Sequence, residues 1–304
     1  MKNIVFMGTP DYASVILEAI LKNGGYNVVA VFTQPDRPVG RKAILTPLEV
    51  KKTVLQSGLD IPIFQPLNLK DSSTVNDIKA LKPNFIVVAA YGQILPKDIL
   101  DIAPCINLHA SLLPKFRGAS PIQEAILRGE LLSGVTAMRM GVGLDDGDIL
   151  GFSVIEIPNL KSSQLFCELA KMAAKLTIKI LNEFESISPI AQFHALSSKC
   201  GKVHKEDGLI DIKLQTPKII ESKFRAYYPW PGLYLENGVK IWDMEISNLK
   251  GENGYVLSID YDGFTIGVNG GSIKIKSLQE SGKKMVNAKD YINGKRLGVG
   301  SKFC

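Results

Sequence analysis

The stretch CINLHASLLPKFRGASPIQEAI, residues 105–126, decides how the chain folds. A short apolar run takes Asn107 and His109 two residues apart, passes through a turn of small residues and a proline, and enters a helix. Ser120 suits the cap of that helix, Pro121 its first position and Gly129 its stop. A buried strand opening into a loop and then a helix is the repeating unit of an α/β sheet. Asn and His at such an exit are more often turn formers than catalysts. At this point the pair is a candidate and no more.

Working outward, the same unit recurs. NIVFMG (3–8), YNVVAVFT (26–33), FIVVAAYG (85–92) and GVTAMRM (134–140) are apolar at nearly every position. Such runs suit strands of a parallel sheet covered on both faces. Helical segments lie between them. A long one follows, in which Phe166, Leu169, Ala173, Leu176 and Ile180 step by three and four along one face. After Glu185 the period is lost, and SISPIAQFHALSSKCGKVHKEDG reads as a connector. Short strand-like runs then alternate with turn dipeptides at 237–238, 262–263 and 270–271, the spacing of a small antiparallel barrel. The expected fold is α/β: a Rossmann-like, doubly wound, mainly parallel sheet over 1–188, a connector over 189–206, and an OB-like antiparallel β-barrel over 207–304.

Composition narrows the class. A chain of 304 residues is comfortable for two cores. Apolar and charged fractions of 45% and 22% are those of a soluble globular protein. No apolar run approaches the roughly 18 residues of a membrane span, and Gly8, Pro10 and Asp11 break the N-terminal run too early for a signal peptide. The four cysteines form no C-x-x-C pair. Free thiols in a reducing cytoplasm are expected, and no metal. GTPDYA lacks the G-x-G-x-x-G fingerprint, so no NAD is expected. A net charge of +6 leans weakly towards an anionic partner.

Ligands of open parallel sheets bind at the carboxyl ends of the strands. Three polar groups fall at such ends: Gly92 and Gln93 behind Tyr91, the Asn107–His109 step, and Asp145 in GVGLDDGDI. A carboxamide, an imidazole and a carboxylate together can orient water, move a proton and stabilise an oxyanion. No Ser or Cys stands in a nucleophile-elbow pattern, which favours direct attack by a bound substrate. The DDGD run reads equally as a solvated turn, and it lacks the ligand spacing of a calcium loop. Residues 33–52, TQPDRPVGRKAILTPLEVKK, are broken by Pro and Gly into a projecting loop. That loop carries Arg37, Arg41, Lys42, Lys51 and Lys52 against Asp36 and Glu49, and two of only seven arginines in the chain. Tyr227, Tyr228 and Trp230 in YYPWPG read as packing at a domain junction rather than as a stacking surface.

NLHASLLPKFRGASPIQEAI and GVTAMRMGVGLDDGDIL resemble the 10-formyltetrahydrofolate-dependent formyltransferase family. The resemblance implies Asn107, His109 and Asp145 as the catalytic set, with Asp146 where the family usually has Thr. It implies Ser111, Leu112, Leu113 and Pro114 as the folate-contacting turn, with Tyr91, Gly92 and Gln93 on the same cofactor side. VFMGTPDYA, VFTQPDRPVGRK and AYYPWPG extend it across nearly the whole chain, towards the members that act on methionyl-tRNA. The implied reaction moves the formyl group of 10-formyltetrahydrofolate, a co-substrate, to the α-amine of methionine on initiator tRNA through a tetrahedral intermediate. By the same resemblance the 33–52 loop inserts at the acceptor-stem end, with Arg37, Arg41 and Lys42 as tRNA contacts and Arg41 foremost. The barrel grips the acceptor arm. A cytoplasmic, monomeric enzyme without metal or membrane contact is implied. The rivals are a sugar-amine formyltransferase or a 10-formyltetrahydrofolate hydrolase-type domain on the same scaffold, and a catalytically silent RNA-binding protein.

Overall fold

The computed structural model describes residues 1–40 and 43–304. Two compact units emerge, one of Met1–Pro121, Leu131–Ile157 and Gln164–Gly201, the other of Ile122–Glu130, Pro158–Ser163 and Lys202–Cys304. In the first unit, β1 (Lys2–Gly8), β2 (Tyr26–Phe32), β3 (Ile63–Phe64), β4 (Phe85–Ala89), β5 (Cys105–His109), β6 (Leu132–Arg139) and β7 (Ile149–Glu156) form one sheet. Its order is β7-β6-β5-β4-β1-β2-β3. The five strands from β3 to β5 run parallel. All residues of β4 and β5 are buried, which explains their unbroken apolar runs.

Helices cover both faces. Val5 and Met7 of β1 join Phe32, Ile86, Val88, Tyr91, Val75 and Ile78 in one core cluster, the last two from α3 (Ser72–Ala80). Ile4 and Phe6 alternate to the other face. There α1 (Asp11–Asn23) meets α4 (Ser162–Glu183) through an edge-on contact of Tyr12 and Phe166, ring centroids 5.9 Å apart. Gly8 permits the tight turn from β1 into α1, since a Cβ there would lie 2.5 Å from that of Ala13. Full burial of each such aliphatic side chain is worth about 1.5–3 kcal/mol.

The sheet changes sense at β6. It runs antiparallel to β5, with Asn107 opposite Met138 and His109 opposite Thr136, and β7 returns antiparallel to β6. The only helix between β5 and β6 is Pro121–Leu127. Seven residues, about 10 Å, form no full crossover back along the sheet. An apolar run such as 134–140 looks the same in either direction, so its sense is invisible in the sequence.

The second unit is a sheet of β8 (Leu209–Ile210), β9 (Leu233–Leu235), β10 (Lys240–Ser247), β11 (Val256–Ile259), β12 (Phe264–Val268) and β13 (Gly271–Gln279). The order is β8-β9-β10-β13-β12-β11, with β14 (Val286–Asn287) also on β13. All pairs are antiparallel except β8 with β9. Residues alternate between core and surface over 273–276 of β13. Ile273 and Ile275 are buried, while Lys274 faces Asp260 and Asp262, and Lys276 faces Glu245. Helix α5 (Pro217–Ala226) is capped by Thr216, whose hydroxyl accepts from the Ile219 amide, with Pro217 in the first turn.

Candidate active site

Two residues apart on a strand, Asn107 and His109 project to the same face of the sheet, and both are buried. Asp145 reaches them from the hairpin loop 140–148 between β6 and β7. The expected route, a second parallel strand exit, is replaced by a loop that folds back over β5. Asn107 Nδ2 donates to Asp145 Oδ1 at 3.4 Å, and His109 Nδ1 lies 3.7 Å from Asp145 Oδ2. The Gly118 amide donates to the same Oδ2 at 2.8 Å. His109 Nε2 is 2.9 Å from the Phe116 carbonyl oxygen. A carbonyl can only accept, so Nε2 carries the proton and Nδ1 is the ring atom left for exchange.

Asp145 holds a left-handed backbone, φ +49°. An L residue stays there only when its surroundings enforce it. Gln192 does so. Its Nε2 donates to the carbonyls of Asp145 (3.0 Å) and Gly147 (2.7 Å), while its Oε1 accepts from Arg117 Nε (3.1 Å) and Nη2 (2.7 Å). Arg117 Nη2 is also 3.2 Å from His194 Nδ1. Asp146 turns the other way. Its carboxylate folds over Gly143, where any Cβ would collide with it. Asp145 is therefore the acid that meets the pair.

Gln192 and Arg117 carry no role in the sequence reading. Arg117, scarce in type and inside SLLPKFRG, offered a signal. Gln192 stood in the aperiodic stretch 189–206, where nothing local marks it. That stretch contributes a wall to the site: Arg117 N donates to Ser198 O (2.8 Å), Phe116 N to Ser198 Oγ (2.9 Å), and Lys199–Cys200 pairs with Arg117–Gly118. The Ser120 hydroxyl, expected as a helix cap, instead donates to the Gly201 carbonyl at 2.6 Å.

Of the other expected positions, Ser111, Leu112, Leu113 and Pro114 form a turn beside His109. Thr136 pins it, donating to Ser111 O (2.6 Å) and accepting from Leu113 N (3.0 Å). The Ser111 hydroxyl donates to Lys115 O. Tyr91 and Gln93 are committed elsewhere. The Tyr91 ring lies in the core cluster, and burial pushes its hydroxyl up to about 12. The Gln93 carboxamide bonds the backbone at Pro66 and Leu69. Gly92, at φ +90°, keeps only backbone at that strand exit.

The 33–52 segment forms a hairpin of Arg37–Val39 with Ile44–Thr46. Arg37 is exposed; Arg41 and Lys42 lie outside the described residues. Lys51 and Lys52, counted as loop charge from sequence, are neutralised. Lys51 Nζ donates to Asp36 Oδ2 and Gln65 Oε1, each at 2.8 Å, and Lys52 Nζ to Glu49 Oε1 at 2.6 Å. Gln65 Nε2 closes the clamp on Asp36 Oδ1 at 2.8 Å. The bonds from Lys51 and Gln65 hold the Asp36 carboxyl below its usual range. Among the described residues no group of three or more His, Cys, Asp or Glu is placed to hold a metal, and no helix is long and apolar enough to cross a membrane.

The chain as a whole has recognisable relatives. Residues 1–181 match a family model described as formyl transferase, and residues 202–296 match the formyl transferase C-terminal domain. Methionyl-tRNA formyltransferase of Campylobacter hominis is 56% identical over 301 residues, 99% of both chains. That of Nitratiruptor sp. is 52% identical over 303 residues, again 99% of both. Among solved structures, HypX of Aquifex aeolicus in complex with tetrahydrofolic acid superposes with a TM-score of 0.66 at 16% identity, over 98% of this chain and 48% of HypX. The N-formyltransferase of Helicobacter canadensis, in complex with folinic acid and dTDP-3-aminofucose, gives 0.68 at 21% identity, over 91% of this chain and 99% of that one. At those identities the likeness is one of fold. Matched along both domains, and about half identical end to end to its relatives, the chain belongs to the formyl transferase family.

Proposed function

We propose that the protein transfers a formyl group to the α-amine of methionine on initiator tRNA, supplying N-formylmethionyl-tRNA for translation initiation. The observation that carries this is the end-to-end identity of 56% to a methionyl-tRNA formyltransferase. The fold alone does not choose, because an N-formyltransferase solved with dTDP-3-aminofucose shares it. The donor is 10-formyltetrahydrofolate, which supplies an electrophilic formyl carbon when bound. The residues suit such a group: a carboxamide donor, a ring nitrogen free for proton exchange and a fixed carboxylate lie side by side, next to a turn tied down by Thr136. Ser111, Leu112, Leu113 and Pro114, with the backbone of Gly92, would line its folate side.

Asn107 Nδ2 has two hydrogens and lends one to Asp145. The second is available to the oxygen that gains charge as the amine attacks. His109 Nδ1 takes the amine proton and returns it to the leaving nitrogen. Asp145, fixed by Gly118 N and Asn107, stabilises the imidazolium between those steps. The thiol on the same strand is no competing nucleophile. Cys105 is two residues from Asn107, but burial pushes its thiol up to about 12, and it points to the carbonyls of Ala103 and Ile99. Direct attack by the amine follows. Arg37, Arg41 and Lys42 would meet the acceptor end of the tRNA, and the enzyme would work in the cytoplasm.

Incubation with 10-formyltetrahydrofolate and methionyl initiator tRNA, followed by an assay for formylmethionine, tests the reading. Formylation of an amino-sugar nucleotide in a parallel incubation, with none of the tRNA, would replace it with the sugar-amine reaction.

A further inference from the structure

Trp230, in the YYPWPG run expected at a domain junction, is 60% exposed. The turn that carries it is pinned on both sides. The Gly232 amide donates to Tyr227 O at 2.9 Å, closing the turn, and the Ser162 hydroxyl donates to Tyr228 O at 2.7 Å. Tyr228 packs edge-on between Phe224 (6.2 Å) and Trp242 (6.3 Å). A large indole is thus presented to solvent on a pinned turn whose other aromatics, Tyr227 and Tyr228, are buried and half-buried.

Cationic groups flank it. Lys161 Nζ lies 4.2 Å from the centre of the Tyr228 ring, two residues before Trp230. Lys240 Nζ lies 4.2 Å from the centre of Trp242, and its side chain passes against Gly232, two residues after. No carboxylate pairs with Lys240 among the described residues. An exposed ring beside an ammonium that no acid neutralises complements a nucleotide, whose base has a π-face and whose phosphate is an anion. A protein partner would need a wider apolar patch around the ring.

We infer that Trp230 is a stacking platform for an unpaired base of the acceptor tRNA, with Lys240 beside it for a phosphate of the same strand. This rests on the proposed reaction. Stacking of one base is lost on truncation to Ala, so Trp230→Ala should raise the Kd for deacylated initiator tRNA about 5- to 150-fold. Trp230→Phe should recover part of that loss. Lys240→Gln should lower the slope of log K against log salt by about 1. The chain has two tryptophans, so Trp242→Phe leaves Trp230 as sole reporter, and its emission should be quenched as tRNA is added. A wild-type chain that formylates methionyl-tRNA, with a Trp230→Ala Kd within twofold and unmoved emission, would overturn the stacking alone. A wild-type chain that formylates no methionyl-tRNA would remove the reading beneath it. A change in sedimentation without a change in tRNA affinity would assign the ring to a protein contact and overturn the inference.

Discussion

At the scale of single residues, the proposed chemistry depends on atoms held in place by neighbours that never touch the reacting carbon. His109→Ala removes the ring nitrogen left for proton exchange at the site and should lower kcat by about 10²–10⁴-fold. Asn107→Ala should lower it by about 10²–10³-fold. Near-normal turnover by either folded variant, measured as formylmethionine released, would break the assignment. Gln192 separates positioning from mere stability. In Gln192→Glu a carboxylate still satisfies Arg117, now as a charge-assisted pair, but both donors to the Asp145 turn are gone. The variant should remain folded at the assay temperature while kcat falls about 10- to 100-fold, as a displaced group near the reaction demands. Equal losses of Tm and kcat would show that Gln192 only supports the fold.

At the scale of elements, the hairpin Arg37–Val39/Ile44–Thr46 projects from a base closed by Asp36, Lys51 and Gln65. A carboxyl held below its usual range adds stability above that range and loses it as pH falls through the lowered value. Wild type should therefore exceed Asp36→Asn in Tm by about 1–3 °C at neutral pH. The gap should close as pH drops below about 4. A gap that persists in acid would mean that the clamp does not depend on the Asp36 charge. The same segment shows what sequence can carry. The breakers Pro35, Pro38 and Gly40 marked a projection, because their backbone limits are local. The pairing of Lys51 with Asp36 was hidden, since it joins residues 15 apart through a fold. The parallel strands were readable because burial on two faces leaves a continuous apolar trace. The reversal at β6 and the reach of Gln192 into the Asp145 turn left no trace, as both are set by tertiary placement.

For the whole molecule, recognition of tRNA should rest on phosphate contacts spread over basic side chains of a chain with net charge +6. Affinity measured by filter binding should fall linearly on a log–log plot against salt, with a slope of about 0.9 or less per phosphate contacted. A flat plot would exclude phosphate contacts as the source of binding. The return of Asp145 over β5 has a wider consequence. Asn107, His109 and Asp145 lie within one contiguous block of about 40 residues, tied at one point to Gln192, while the 33–52 hairpin and the Trp230 turn lie outside it. On the proposed roles, formyl chemistry and choice of acceptor are encoded in separable parts of the gene. A lineage can exchange the parts that recognise an acceptor and inherit the reaction unchanged.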